Sequence, residues 1–235
     1  HCGMDNNYIF QYWEAIQDGT VTVGKWIKTI YEILVNGLKS GKWDFDEEKA
    51  NKAINFIENF CHHSEGRNDL LKLELWQQDI VSAIFGIMDK RTGYRQFREV
   101  FIVVARKNGK TLFAAAIAAY MAYIDGEYGA KIYCLAPKLE QANIVYDNFY
   151  QMIKKEPELS DLSKKRRSDI YIEESNTAIK PLAFNAKKSD GFNPHLVVND
   201  EVASWRGDGG LKQYEVMKSA LGARRQPMIL SISTA

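Results

Sequence analysis

The apolar positions of this chain change their period partway along. Between residues 5 and 60 they recur at helical spacing: Tyr8, Ile9, Tyr12, Trp13 and Ile16, then Trp26, Ile27, Ile30, Leu34 and Leu38, then Ala50, Ala53, Ile54, Ile57 and Phe60. This spacing predicts three helices, with Gly37 and Gly41 bracketing a break and Asp46 capping the third. His62 to Asp69 is polar, contains Gly66 and reads as a connector. Beyond residue 70 a helix through Trp76 to Met88 leads to a Thr92-Gly93 turn, and short apolar runs then alternate with helical stretches. Strands are predicted at 100–104, 131–135, 170–173, 178–184, 195–199 and 228–232. Helices are predicted from Lys110 to about Asp125, from Leu139 to Ile153 and from Leu211 to Leu221.

Strands that are apolar along their whole length, alternating with helices, predict an α/β domain: a mostly parallel central sheet with helices on both faces. The expected organisation is an N-terminal helical extension over residues 1–65 and the α/β domain over 66–235. His1-Cys2-Gly3 ahead of Met4 reads as a cloning remnant, with Met4 the natural start. The stop at Ser-Thr-Ala, directly after a core strand, reads as a truncation.

Composition narrows the classes. A chain of 235 residues can bury a main core plus a small appendage. It has no apolar run of about 18 residues, so no membrane span is expected. The net charge of +1 gives no bulk signal for a polyanionic partner, and Lys164-Lys165-Arg166-Arg167, the dense basic run, reads as a solvated loop. Three widely spaced cysteines argue against a disulfide framework and fit a reducing cytoplasm. Cys61-His62-His63 lacks a second cluster at ligand spacing, so zinc is not expected.

The candidate chemistry lies where strands end. Residues 101–111, FIVVARKNGKT, run from an apolar strand through a basic loop into Gly-Lys-Thr at the start of an Ala-rich helix. The phosphate-loop pattern G-x-x-x-x-G-K-[ST] is matched at Gly109, Lys110 and Thr111, while Val104 stands at its first glycine. Gly109 lets backbone N–H groups approach an anion, and the helix directs its positive end at the same place. Lys110 can reach the β- and γ-phosphates, and the Thr111 hydroxyl can ligate Mg²⁺. Residues 196–201, LVVNDE, form the second motif: an apolar strand ending in two acids, with Asp200 suited to Mg²⁺ and Glu201 to orienting water. Asn199 stands where an apolar residue is usual. Together the motifs read as a P-loop NTPase.

The combination resembles the large subunit of tailed-phage terminases, the motors that package DNA into a prohead. The resemblance rests on YIFQYWEAIQDG (8–19), LELWQQDIVSAIFGIMDKRTGYRQFREV (73–100), VVARKNGKT (103–111), AAYMAYIDGEYGAKIYCLAPKLEQANIVYDNF (118–149), SDGFNPHLVVNDE (189–201) and SISTA (231–235). Its discriminating features are a phosphate loop without its first glycine but with Arg106, and D-G-x-N-P-H just before the acids. The resemblance implies that Gln77, or failing it Gln78, contacts adenine. Arg106 would contact the γ-phosphate, Lys107 and Asn108 would belong to the phosphate loop, and Ser233-Thr234 would couple hydrolysis to movement. A trans-acting arginine is known in the family, and nothing assigns it to Arg224 or Arg225.

The resemblance further implies ATP and Mg²⁺ as cofactors and a nuclease domain beyond residue 235. The implied partners are double-stranded DNA, the portal protein and the small terminase subunit, with the chain assembled into a ring. The implied location is the host bacterial cytoplasm, transiently docked on the prohead, with no membrane contact. Two other readings stand beside it: a different P-loop DNA or RNA translocase, and a nucleotide-binding docking module without turnover.

Overall fold

The computed structural model describes residues 7–107, 109–183, 193–202, 205 and 208–234. They fall into two compact units, residues 1–58 with 72–97 and residues 59–71 with 98–235. The boundary read at 65/66 therefore differs from the contact division, because Lys72–Phe97 cluster with the N-terminal helices.

The first unit holds α1 (Tyr8–Gln17), α2 (Lys25–Lys39), β1 (Asp44–Phe45), most of α3 (Glu47–Phe60), α4 (Leu75–Gly86) and β2 (Ile87–Met88). Three of its helices, α1, α3 and α4, start on side-chain caps. Asn7 Oδ1 accepts the N–H groups of Ile9 and Phe10, and Asp46 Oδ1 accepts that of Lys49. At α4, Glu74 and Gln77 form a reciprocal capping box. Ile9, Ile16, Tyr31, Val35 and Ile87 form a buried cluster. Gly37 does not break α2 as the sequence reading expected: it lies inside the helix, where a Cβ would come within 2.5 Å of the Trp43 ring. The chain turns instead at Gly41, whose φ is +77°.

The second unit is built on a seven-stranded sheet. Its strands are β3 (Glu99–Val104), β4 (Lys131–Ala136), β5 (Ser163–Lys165), β6 (Ile170–Ile172), β7 (Thr177–Ala183), β8 (Pro194–Asp200) and β9 (Met228–Thr234), in the order β3-β9-β8-β4-β7-β6-β5. The first five are parallel, and β6 and β5 run antiparallel at one edge. β8 is buried at all seven positions, as expected of a parallel strand covered on both faces. The Ala-rich α5 (Lys110–Tyr120) ends in a π-helical turn, Met121–Asp125, and packs against α6 (Leu139–Lys154). Small side chains let this helix, buried from Phe113 to Tyr120, approach its neighbours closely. α8 (Asp208–Ala220), between β8 and β9 in the chain, sets Met217 and, from the following turn, Leu221 against Leu135, Val197 and Ile229.

Lys164-Lys165-Arg166-Arg167 is not simply a loop. Its first two residues belong to the edge strand β5, paired with β6. The connector 62–69 is held by the end of α6. Lys155 Nζ donates to the carbonyls of His63, Ser64 and Arg67, and His62 Nε2 lies 2.8 Å from Glu156, just ahead of the short α7 (Pro157–Ser160). Among the described residues no three His, Cys, Asp or Glu side chains gather as a metal site, and no helix is long and apolar enough to cross a membrane.

Candidate functional site

The parallel strands end on one side of the sheet, and the residues of both motifs end there with them. β3 stops at Val104 and the chain enters α5 through Gly109, whose φ of +69° is a conformation few residues other than glycine adopt readily. A Cβ at Gly109 would meet nothing within 4 Å, so backbone conformation rather than space calls for glycine. Lys107 also has a positive φ, +65°, and it and Arg106 are exposed. Asn108 lies outside the described residues, as do positions 190–192 of the D-G-x-N-P-H stretch. Lys110 and Thr111 are the first two residues of α5, both part-buried, at the end where unpaired backbone N–H groups attract anions.

From Lys110 the side chain crosses to the end of β8. Its Nζ lies 2.7 Å from Asp200 Oδ1 and 2.8 Å from Glu201 Oε1. Burial alone pulls the ammonium's pKa down, but hydrogen bonds to the two carboxylates outweigh it and hold the pKa above the ordinary lysine value. The ammonium is therefore charged throughout the neutral range. Asp200 is the more enclosed of the acids, its side chain 7% exposed against 40% for Glu201. Glu201 sits at φ +52°, a strained conformation for a residue with a side chain. Thr234 Oγ1, at the end of β9, donates to the Glu201 carboxylate at 3.4–3.5 Å. Ser233, one residue earlier, is buried.

Three further contacts brace these groups without a signal in the motifs. Trp205 Nε1 donates to the Asp200 carbonyl at 3.1 Å. Asn199, at the position expected to be apolar, is fully buried and donates from Nδ2 to Ser231 Oγ on β9 at 3.2 Å. His195, near the start of β8, is 3.0 Å from Asp125 at the end of the π-helical turn. The Asn199 and His195 contacts would have required knowing which elements are neighbours.

Gln77 lies on α4. It belongs to the first unit, and its Oε1 accepts the Glu74 N–H in the α4 capping box. Gln78 is in the same helix. Arg224 Nη1 and Nη2 bind the carbonyls of Tyr128 and Gly129, and Arg225 N–H donates to Glu127.

The donor set fits Mg²⁺ carried on a phosphate. Asp200 and Thr111 offer hard oxygen ligands, and Lys110 shows that a cation is accommodated between the two acids. Mg²⁺ keeps several waters and typically takes only one or two protein carboxylates together with substrate phosphates, so no larger protein cage is needed.

Comparison with known proteins matches residues 75–235 to the family described as the terminase large subunit, ATPase domain. Among solved structures, the HK97 bacteriophage large terminase is similar with a TM-score of 0.67 and 27% identity, over 79% of this chain and 37% of that one. The large terminase ATPase domain of Thermus phage P74-26 gives 0.46 and 16%, over 61% of this chain and 62% of that one. The UvsW helicase of bacteriophage T4 gives 0.47 and 11%, over 81% and 61%. No curated protein sequence matches. The chain thus spans 37% of the length of the HK97 protein.

Proposed function

Because the chain belongs to the family of terminase large-subunit ATPase domains, we propose that it hydrolyses MgATP and that this turnover drives double-stranded DNA into a prohead. The observation that carries the reading is the convergence of Lys110, Asp200 and Glu201 at the ends of α5 and β8. A lysine at a helix N-terminus, facing two acids at a strand end, is the minimal arrangement for holding a phosphate chain and activating water beside it.

The residues divide the work as follows. Lys110 and the backbone amides at the start of α5 hold the β- and γ-phosphates. Thr111 and Asp200 would hold Mg²⁺, which would supply charge neutralisation for the phosphate oxygens. Glu201 accepts a hydrogen bond from the attacking water and orients it in line with the γ-phosphate. Arg106 is placed on the phosphate loop to stabilise charge on the transferring phosphoryl group. Lys107 and Asn108 complete the loop around the phosphates. Thr234, already bonded to Glu201, couples the state of the catalytic carboxylate to β9, with Ser233 beside it.

In this reading the partners are double-stranded DNA, the portal protein, the small terminase subunit and further copies of the chain in a ring. The site of action is the host bacterial cytoplasm, with transient docking on the prohead. Family membership supports these assignments.

The test is nucleotide binding and phosphate release by the chain across a wide range of protein concentration, with Lys110→Ala beside the wild type. Loss of both binding and turnover in the variant is expected, with a specific rate that rises with concentration where neighbours complete the site. Full ATP affinity in Lys110→Ala would overturn the assignment of the phosphate site.

A further inference from the structure

The edge of the sheet farthest from the phosphate loop carries a chemistry that the ATPase reading does not use. Strand pairing aligns Lys164 of β5, Tyr171 of β6, Ala178 of β7 and Lys131 of β4 in one cross-strand row. Lys180 of β7 pairs with Tyr133 of β4 two positions further on. Paired residues in adjacent strands share a face, and alternate positions return to it. Lys131, Lys164 and Lys180 therefore share the face that Tyr133 and Leu182 continue into the α8 core. Arg166 joins them, its guanidinium 4.2 Å from the centre of the Tyr171 ring.

These groups lie at the surface: Lys164, Arg166 and Lys180 are exposed, and Lys131 and Tyr171 are part-buried. One carboxylate sits among them. Asp169 is bonded by Arg166 at 2.6–2.7 Å, and its pKa is held below the ordinary aspartate value by that bond first and by the neighbouring Lys180 and Lys131 as well. Glu173 and Glu174 follow in the turn after β6. A near-neutral chain thus concentrates four cations on one stretch of sheet, with Asp169 bonded among them and Glu173 and Glu174 following in the next turn. The Tyr171 ring is covered by the guanidinium, which leaves it poorly placed to stack on a base. Charge, rather than stacking, is what this face offers.

We propose that the face formed by Lys131, Lys164, Arg166 and Lys180 is a contact surface for the phosphate backbone of duplex DNA. The choice of duplex DNA rests on the packaging reading above. Recognition there is electrostatic and independent of sequence, so its affinity falls steeply with salt.

The experiment is fluorescence anisotropy of a labelled mixed-sequence duplex of about 30 base pairs, titrated with the chain over a range of salt. The wild type is compared with Lys131→Ala/Lys164→Ala/Lys180→Ala and with the charge-matched control Lys25→Ala/Lys28→Ala/Lys49→Ala, whose residues are exposed in the first unit. The face variant is expected to bind about tenfold or more weakly, and its plot of log K against log salt to flatten by up to about 2.7 for three lost phosphate contacts. The control should bind as the wild type does. Equal weakening in both variants would reduce the effect to bulk charge and overturn the proposal. So would an absence of duplex binding by the wild type at low salt, or binding of polyglutamate in its place, which would make the face a protein contact. Unchanged duplex binding with aggregation of the face variant would also overturn it, assigning the lysines to protection of an edge strand. Glu201-dependent ATP hydrolysis, measured on the same samples, is expected to persist in the face variant. Absent hydrolysis with face-dependent duplex binding would mark failure of the ATPase reading alone.

Discussion

Replacing Glu201 separates the roles of two adjacent carboxylates. Its ion pair with Lys110 is open to solvent, the Glu201 side chain being 40% exposed, and such pairs contribute about 0–1 kcal/mol. Asp200 remains 2.7 Å from the ammonium when Glu201 is neutralised. Glu201→Gln is therefore expected to change stability by less than about 1 kcal/mol. Glu201→Gly tests the backbone. At φ +52° a residue with a side chain bears a penalty of roughly 1–2 kcal/mol that glycine does not. Against this gain stand the greater flexibility of glycine in the unfolded chain, about 0.5–1 kcal/mol, and loss of the exposed ion pair. The glycine variant should fall between about 1 kcal/mol less stable and about 1.5 kcal/mol more stable than the wild type, a small net change for deleting a functional side chain. Hydrolysis moves the other way, because a positioned general base contributes about 10²–10⁴-fold, and both variants should lose at least about two orders of magnitude. Urea unfolding gives the first quantity, and phosphate release at matched protein concentration gives the second. A Gln variant hydrolysing at near wild-type rate would remove Glu201 from the reaction. A glycine variant destabilised by more than about 2 kcal/mol would refute the argument from backbone strain.

Two other perturbations probe the scaffold. Asp79 is fully buried, accepts the Tyr31 phenol and leaves Oδ1 without a partner, and burial holds its pKa well above the ordinary aspartate value despite that hydrogen bond. The native state then keeps a proton that the unfolded chain releases, so stability falls as pH rises from the ordinary aspartate value toward the raised one, by about 1.4 kcal/mol per pH unit. Asp79→Asn should flatten that slope in urea titrations at several pH values, and an unchanged slope would show that another group carries it. Lys155→Met leaves the carbonyls of His63, Ser64 and Arg67 without their shared donor. Faster amide hydrogen exchange over residues 62–69 is expected, with a stability loss of about 1–3 kcal/mol. Exchange at the wild-type rate would show that the connector is held by other means.

The sheet was legible where the pattern is local. Strands β4, β8 and β9 announce themselves as largely apolar runs because both of their faces are largely buried, whereas β3 is equally apolar with Phe101 and Val103 exposed. β5 gives no such sign: Ser163-Lys164-Lys165 contains no apolar residue, and it is a strand because β6 offers it an edge. Gly37 misled for a related reason, since it serves close packing against Trp43 rather than a turn. Lys110, Asp200 and Glu201 could be picked out because each ends or begins an apolar segment. Two contacts on β8, Asn199 to Ser231 and His195 to Asp125, depend on which elements become neighbours. No local pattern encodes that. Residues 72–97 were placed by the composition change near residue 70, whereas contacts group them with the earlier helices.

The His195–Asp125 contact has a mechanical consequence. Near its first residue β8 is tied to the far end of the α5 segment, and at its last residue it is tied through Asp200 to Lys110 at that segment's beginning. Strand and helix thus form a closed frame with a crosspiece at each end. A phosphate chain that draws Lys110 away from Asp200 removes one crosspiece and leaves the other. The tie at His195 lies at the opposite end of β8, and pairing with β4 and β9 holds the strand along its length, so the change is confined to the end where Asp200 and the phosphate loop stand.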